Sequence, residues 1–204
     1  MVRPPGTVAL VGSGEFLPPM APVDRALLAH LRATPRVAIV PTAAAPDGAA
    51  VFDRWLRLGV DHFTGLGAEA IPIGLRSRAD ADDPELATQV ATCDFVYLSG
   101  GKPGYLRDTL RDSACWQAIV GVFDRGGVIA GCSAGAMVLG ERMVDFPQVW
   151  RLGPALGLVR GLAIVPHFDE FGMKFLGGLE SFVAGDVTLV GVDGTTALVG
   201  TGGR

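Results

Sequence analysis

A chain of 204 residues with 49% hydrophobic composition can bury a core without disulfide or metal staples, and a single domain is expected. A net charge of -4, with no Lys/Arg run and no basic stripe interleaved with aromatics, argues against a nucleic-acid or anionic-membrane partner. The three cysteines, Cys93, Cys115 and Cys132, have no CxxC spacing, which excludes a disulfide framework and a zinc pattern and fits a reduced, cytoplasmic setting.

At the N-terminus the apolar run TVALV is too short for a signal peptide, and no stretch approaches the length of a membrane span. Short apolar runs rich in β-branched residues then alternate with helix-period segments. This is the pattern of an α/β fold with a largely parallel sheet and helices on both faces. The strand candidates are residues 7–13, 36–43, 68–74, 94–100, 127–133, 162–168 and 187–193, with 195–200 expected to pair with the last of them. Their near-continuous apolar character suits strands buried on both faces.

Between them, the periodicity predicts helices in VDRALLAHLRA after Pro22 and in DGAAVFDRWLRLGVDHF, with Asp47 as its cap. Further helices are expected in PELATQVA, YLRDTLRDSACWQAIVGVFDR, AGAMVLGERM and EFGMKFLGGLESFVA. Residues 144–161 fit no clean period, and a long irregular stretch of this kind is more often functional than idle.

The chemistry concentrates at the end of the fifth strand. Gly131-Cys132-Ser133-Ala134-Gly135 fits the GxSxG pattern, in which a sharp strand-to-helix turn exposes a serine hydroxyl. Such a turn crowds its neighbours, so small residues are required around it. The helix that follows aims free N–H groups at the site. Alternation along the strand turns Cys132 away from Ser133, which leaves the thiol as a small core residue and the serine as the nucleophile candidate. The alternative is close helix–strand packing with no catalysis.

Two other features converge on this turn. The strand DFVYLSGG ends in Gly100-Gly101, where backbone can approach a ligand, and the N–H groups of Gly101 and Ala134 would form an oxyanion hole. Of the three histidines, His30 and His62 are expected at the surface or rim. His167, just past the apolar strand of IVPHFDE, is the general-base candidate.

In this order, RVAIVPTAA, LSGG, AGCSAGAM and VPHF resemble the dipeptidase E / cyanophycinase family of serine peptidases, whose core is similar to that of class I glutamine amidotransferases. The resemblance runs over nearly the whole chain. It implies Ser133 as nucleophile, His167 as base, and Gly101 and Ala134 as oxyanion donors. It also implies Asp145 as a functional aspartate, Glu15 bordering the site, and cleavage of aspartyl or β-aspartyl peptides.

Two positions depart from the family's pattern. Its triad acid lies in a late GxDE-like turn, where this chain has Gly191-Val192-Asp193-Gly194, with glycine at the Glu position. Asp193 and Asp145 are therefore rival orienting acids, Asp169 is a third, and an acid-free dyad is an alternative. Loss of the acid alone costs about 10⁴-fold in kcat and leaves the other parts in place. Downstream of the histidine the family carries arginines, whereas DEFGMKFLGG offers Lys174 alone, so Lys102 or Arg151 would have to meet an acidic substrate. The chain also ends earlier than the resemblance would suggest.

The expectation is acyl transfer from a small peptide to water through Ser133 and His167, with no metal and no organic cofactor, in a monomer or homodimer. No HExxH and no GxxxxGK[ST] loop is present. An α/β-hydrolase esterase would use Ser133, Asp145 and His167 in that order, but little chain remains for its later strands. A glutamine amidotransferase would need cysteine at the elbow. A non-catalytic descendant that binds a small acidic peptide or metabolite is the alternative from a different class.

Overall fold

The computed structural model describes residues 6–31, 34–145, 148–172 and 187–202. A six-stranded sheet forms its centre, in the spatial order β10-β1-β5-β4-β2-β3. Five of these strands run parallel: β1 (Thr7–Val11), β2 (Arg36–Val40), β3 (Glu69–Pro72), β4 (Phe95–Leu98) and β5 (Val128–Cys132). The sixth, β10 (Ala197–Thr201), closes one edge antiparallel to β1 rather than pairing with the preceding strand, as its sequence position had suggested.

Alternation within the strands divides the core into two halves. Ala9, Val11, Ile39, Phe95, Tyr97 and Cys132 point to one face. There they meet α1 (Ala21–Leu28) and α2 (Ala49–Gly65), which contribute Leu27 and Phe63. Leu10, Val40, Val96, Leu98 and Ile129 point to the other face. That side is covered by α3 (Arg78–Ala81), α4 (Pro84–Ala91), α5 (Pro103–Leu110), α6 (Ala114–Asp124) and α7 (Ala134–Leu139).

A second, four-stranded sheet lies beyond α7 in the order β7-β6-β8-β9. It comprises β6 (Arg142–Asp145), β7 (Gln148–Pro154), β8 (Leu162–Pro166) and β9 (Thr188–Val192). Met143, Val144, Ile164 and Val192 join it to the same continuous core. The strands predicted to share one sheet thus occupy two.

Several local readings are corrected by this packing. The long helix expected after the glycine pair breaks at Asp112, whose φ is 55°, and Ser113 recaps it by accepting the Trp116 N–H at 3.1 Å. Asp47 does not cap α2; Gly48 does, and Asp47 instead lies 3.6 Å from Lys102 Nζ. The helix after the elbow stops at Leu139, and Arg142 to Asp145 are strand. The first part of the stretch read as irregular belongs to a hairpin of β6 and β7 whose register slips between Val144 and Asp145, while residues 155–161 lie outside any helix or strand. Such a bulge breaks the alternation by which strands are recognised. Most of the helix expected over EFGMKFLGGLESFVA lies outside the described residues.

Candidate active site

The parallel strands β1, β4 and β5 deliver their carboxyl ends to one edge, where open α/β sheets bind ligands. Ser133 follows β5 with φ 51° and ψ -109°, a conformation that non-glycine residues rarely adopt. Its N–H donates to Val11 O at 2.9 Å, which ties the turn to β1. The glycines on either side are dictated by contact. A Cβ on Gly131 would overlap the Gly135 carbonyl, and one on Gly135 would overlap Leu98 O. The elbow is therefore wedged between β1 and β4, with no room for larger side chains.

His167 follows β8 of the second sheet, also at positive φ (52°). Its Nε2 lies 3.1 Å from Ser133 Oγ, within reach of a direct proton transfer. The turn Phe168–Gly172 begins immediately afterwards and carries two acids. Glu170 donates its N–H to His167 O at 3.0 Å and brings Oε1 to 3.8 Å from His167 Nδ1. Asp169 turns elsewhere, accepting the Gly194 N–H at 2.8 Å. Glu170 was not among the acids that the sequence singled out. The signal was its position three residues after the histidine, which counts only if that segment turns.

Gly101 has φ 140°, and a Cβ there would strike Ala43 O. The neighbouring Lys102 N–H donates to that same carbonyl at 2.8 Å. Gly100 is held from below, donating its N–H to Glu15 Oε1 at 2.8 Å. The other oxygen of this buried carboxylate, Oε2, accepts from Cys132 Sγ at 2.9 Å. Glu15 thus links the glycine pair to the residue before the nucleophile. Burial, then the Glu15 charge, pushes the Cys132 thiol well above its ordinary range. It remains a protonated donor on the opposite face of the strand from Ser133.

The remaining candidates are more dispersed. Asp193 is exposed at the turn between β9 and β10, where its carbonyl accepts from Thr196 Oγ1 at 2.8 Å. Gly194 faces Asp169: a Cβ there would lie 3.4 Å from Asp169 Oδ2. Asp145 ends β6, but its side chain lies outside the described residues, as do the Arg151 side chain and all of Lys174. His30 is exposed. His62, expected at the rim, instead turns inward to within 2.8 Å of the fully buried Asp24 carboxylate. Among the described residues no group of three or more His, Cys, Asp or Glu could hold a metal ion, and no helix is long and apolar enough to cross a membrane.

A cavity of about 170 Å³ opens between Ser133 and His167, bordered by Gly101 and Ala134. Its other walls are Pro103, Met137, Val144, Ile164, Val165 and Pro166. A strained serine, a histidine at hydrogen-bonding distance and a backbone-lined cleft suit nucleophilic acyl transfer.

Known proteins share this plan. The chain is 28% identical over 176 residues to a cyanophycinase of Trichormus variabilis, a match covering 80% of this chain and 56% of that protein. It is 31% identical over 144 residues to a cyanophycinase of Synechococcus elongatus, covering 66% and 43%. The chain therefore spans about half the length of these relatives. Among solved structures, a peptidase from an acI-B1 Actinobacterium superposes with a TM-score of 0.88 at 32% identity, over 98% of this chain and 85% of that one. A peptidase E-type protein of Listeria monocytogenes EGD-e shares the fold at a TM-score of 0.65 and 19% identity, over 97% and 98%. The family model for Peptidase family S51 matches residues 8–204, and with the elbow serine and its histidine in place the chain belongs to that family of serine peptidases.

Proposed function

We propose that this protein hydrolyses small peptides through an acyl-enzyme on Ser133, and that the 3.1 Å approach of His167 Nε2 to Ser133 Oγ is the observation that carries the reading. His167 takes the hydroxyl proton as Oγ bonds to the scissile carbonyl carbon. The carbonyl oxygen gains the charge and lies against the N–H groups of Gly101 and Ala134. The C–N bond then breaks, and His167 passes its proton to the leaving amine. Water attacks the ester with His167 again as base, the C–Oγ bond breaks, and the proton returns to Ser133.

Glu170 is the positioning residue in this reading, since its carboxylate lies on the Nδ1 side of His167. Asp193 and Asp145 are the rival acids. Glu15 shapes the oxyanion hole from beneath, and Lys102, at the rim with Asp47, meets the outer part of the peptide. The family resemblance makes aspartyl and β-aspartyl peptides the first substrates to try.

The test is labelling with a fluorophosphonate, mapped by mass spectrometry, together with turnover of a dipeptide panel. Label is expected on Ser133, lost in His167→Ala, with turnover lowered at least about 10³-fold in Ser133→Ala. An unlabelled wild type with no turnover would favour the alternative, a non-catalytic member that binds a small peptide in the same cleft.

A further inference from the structure

The turn that carries Glu15 is built around a residue its backbone does not favour. Leu17 donates its N–H to Gly14 O at 3.1 Å, closing a β-turn, and Phe16 sits at the third position with φ 64°. A positive φ at that position ordinarily calls for glycine. A bulky side chain there is strained, and such strain persists only where the surroundings hold it. Ser133 and His167 share the conformation.

What holds Phe16 is an aromatic seat. Its ring centroid lies 4.9 Å from that of Tyr97 on β4, and 6.4, 5.9 and 6.2 Å from those of Trp55, His62 and Phe63 on α2. Gly59 leaves the gap that the ring fills, since a Cβ there would lie 2.9 Å from Phe16 Cζ. His62 is itself fixed at 2.8 Å by the buried Asp24, so α1 braces that side of the seat. Phe16 is 7% exposed and the next residue, Leu17, 51%, which makes the ring the anchor of this turn.

The residue before the anchor is Glu15, equally buried, whose carboxylate accepts from Gly100 N–H at 2.8 Å and Cys132 Sγ at 2.9 Å. Those contacts tie together the ends of β4 and β5, and Gly101 and Ala134 lie just beyond them. Glu15 reaches both ends only while its turn keeps its shape. In a site of this kind a displacement of about 1 Å can cost about 10²-fold in rate.

We propose that Phe16 is a positioning residue for the oxyanion hole. Its seated ring fixes the turn at residues 14–17, the turn fixes Glu15, and Glu15 fixes the glycine pair and the end of β5. Phe16 touches neither substrate nor the reacting atoms. The proposal rests on the acyl-enzyme reading above.

Two substitutions test it on the intact chain. Phe16→Gly removes the ring while suiting the backbone, and Phe16→Leu keeps apolar bulk in the seat. Turnover of the best dipeptide and the rate of fluorophosphonate mass gain are read where melts show each protein folded. The labelling rate carries the comparison alone if no dipeptide turns over. Val90→Ala, a cavity in α4 on the other face of the sheet, controls for lost stability. An interaction made only in the transition state lowers kcat and leaves KM unchanged. Phe16→Gly is therefore expected to lower kcat and labelling at least about tenfold with KM within about twofold, Phe16→Leu less, and Val90→Ala hardly at all. In a Glu15→Ala background, Phe16→Gly should cost at most about twofold more, because the link it acts through is already gone. Near-wild-type kcat and labelling in a folded Phe16→Gly protein would overturn the inference and leave the hydrolase reading standing. So would a loss confined to KM, an equal loss in Val90→Ala, or full additivity with Glu15→Ala. A wild-type protein that neither takes the label nor turns over any dipeptide would remove that reading and the inference with it. Phe16→Leu decides if Phe16→Gly does not fold, and the single variants decide if Glu15→Ala does not.

Discussion

Three side chains near the elbow divide the work by their surroundings rather than by their intrinsic reactivity. Ser133 points into the cavity, Cys132 lies behind the strand as a donor to Glu15, and Glu170 approaches His167 from its own turn. Cys132→Ser keeps a donor for Glu15, so turnover within about threefold of wild type is expected, measured on the best dipeptide of the panel. A loss as large as that of Ser133→Ala would mean that the thiol takes part in the chemistry. The Glu170–His167 pair is partly exposed, and exposed pairs are worth about 0–1 kcal/mol. Glu170→Gln should therefore lower kcat by about fivefold or less with KM unchanged, and Glu170→Asp should recover part of the loss. Asp193→Asn and Asp145→Asn are the parallel variants; a larger loss in either would transfer the positioning role to it.

At the level of elements, the elbow depends on backbone contact between β5, α7 and β4. Gly131 is a direct test, because an added methyl would meet the Gly135 carbonyl and the Ala136 nitrogen, neither of which has a flexible end to yield. Gly131→Ala is expected to cost about 1–3 kcal/mol, the usual range for overpacking. For a chain of this size each kcal/mol lowers Tm by about 2–4 °C. Gly200→Ala, with nothing near its added methyl, should stay within about 0.5 kcal/mol in the same thermal melts. A Gly131→Ala protein as stable as wild type would show that the turn has room that its contacts deny. The hairpin of β6 and β7 teaches the reverse lesson. Its bulge at Val144/Asp145 defeats the period-2 test, so a segment that supplies a cavity wall read as irregular.

Across the whole molecule, all three thiols are buried and free of disulfides. Burial pushes Cys93 and Cys115 up from 9.0 to about 11 and also raises Cys132 well above its ordinary range. Unfolded chains lose the Cys93 and Cys115 protons near pH 9, while the folded protein keeps them to about pH 11. The unfolded state therefore binds fewer protons in that window, and stability should fall as pH rises through it. Denaturant midpoints measured over roughly pH 8 to 11 would follow the decline. Iodoacetamide at about pH 8 should leave the native protein unmodified and alkylate all three cysteines after denaturation. Rapid native alkylation would contradict the buried placement.

The sequence by itself determined the α/β alternation, the serine at the elbow, the glycine pair and the choice of His167. Each is a local demand: a continuous apolar run for a buried strand, and small residues where backbone meets backbone. Partners set by distance were beyond it. Whether the strands formed one sheet or two, that β10 returns to β1, and that His62 turns inward to Asp24 all depend on which surfaces meet after folding. The acid beside His167 was hidden for the same reason. Asp193 and Asp145 stood out by motif, but a turn at Phe168–Gly172 carries Glu170 to the imidazole and Asp169 to Gly194. The apolar cavity also belongs to tertiary structure, because its walls come from α5, α7, β6 and β8, whose side chains share no period and meet only when the second sheet packs on α7.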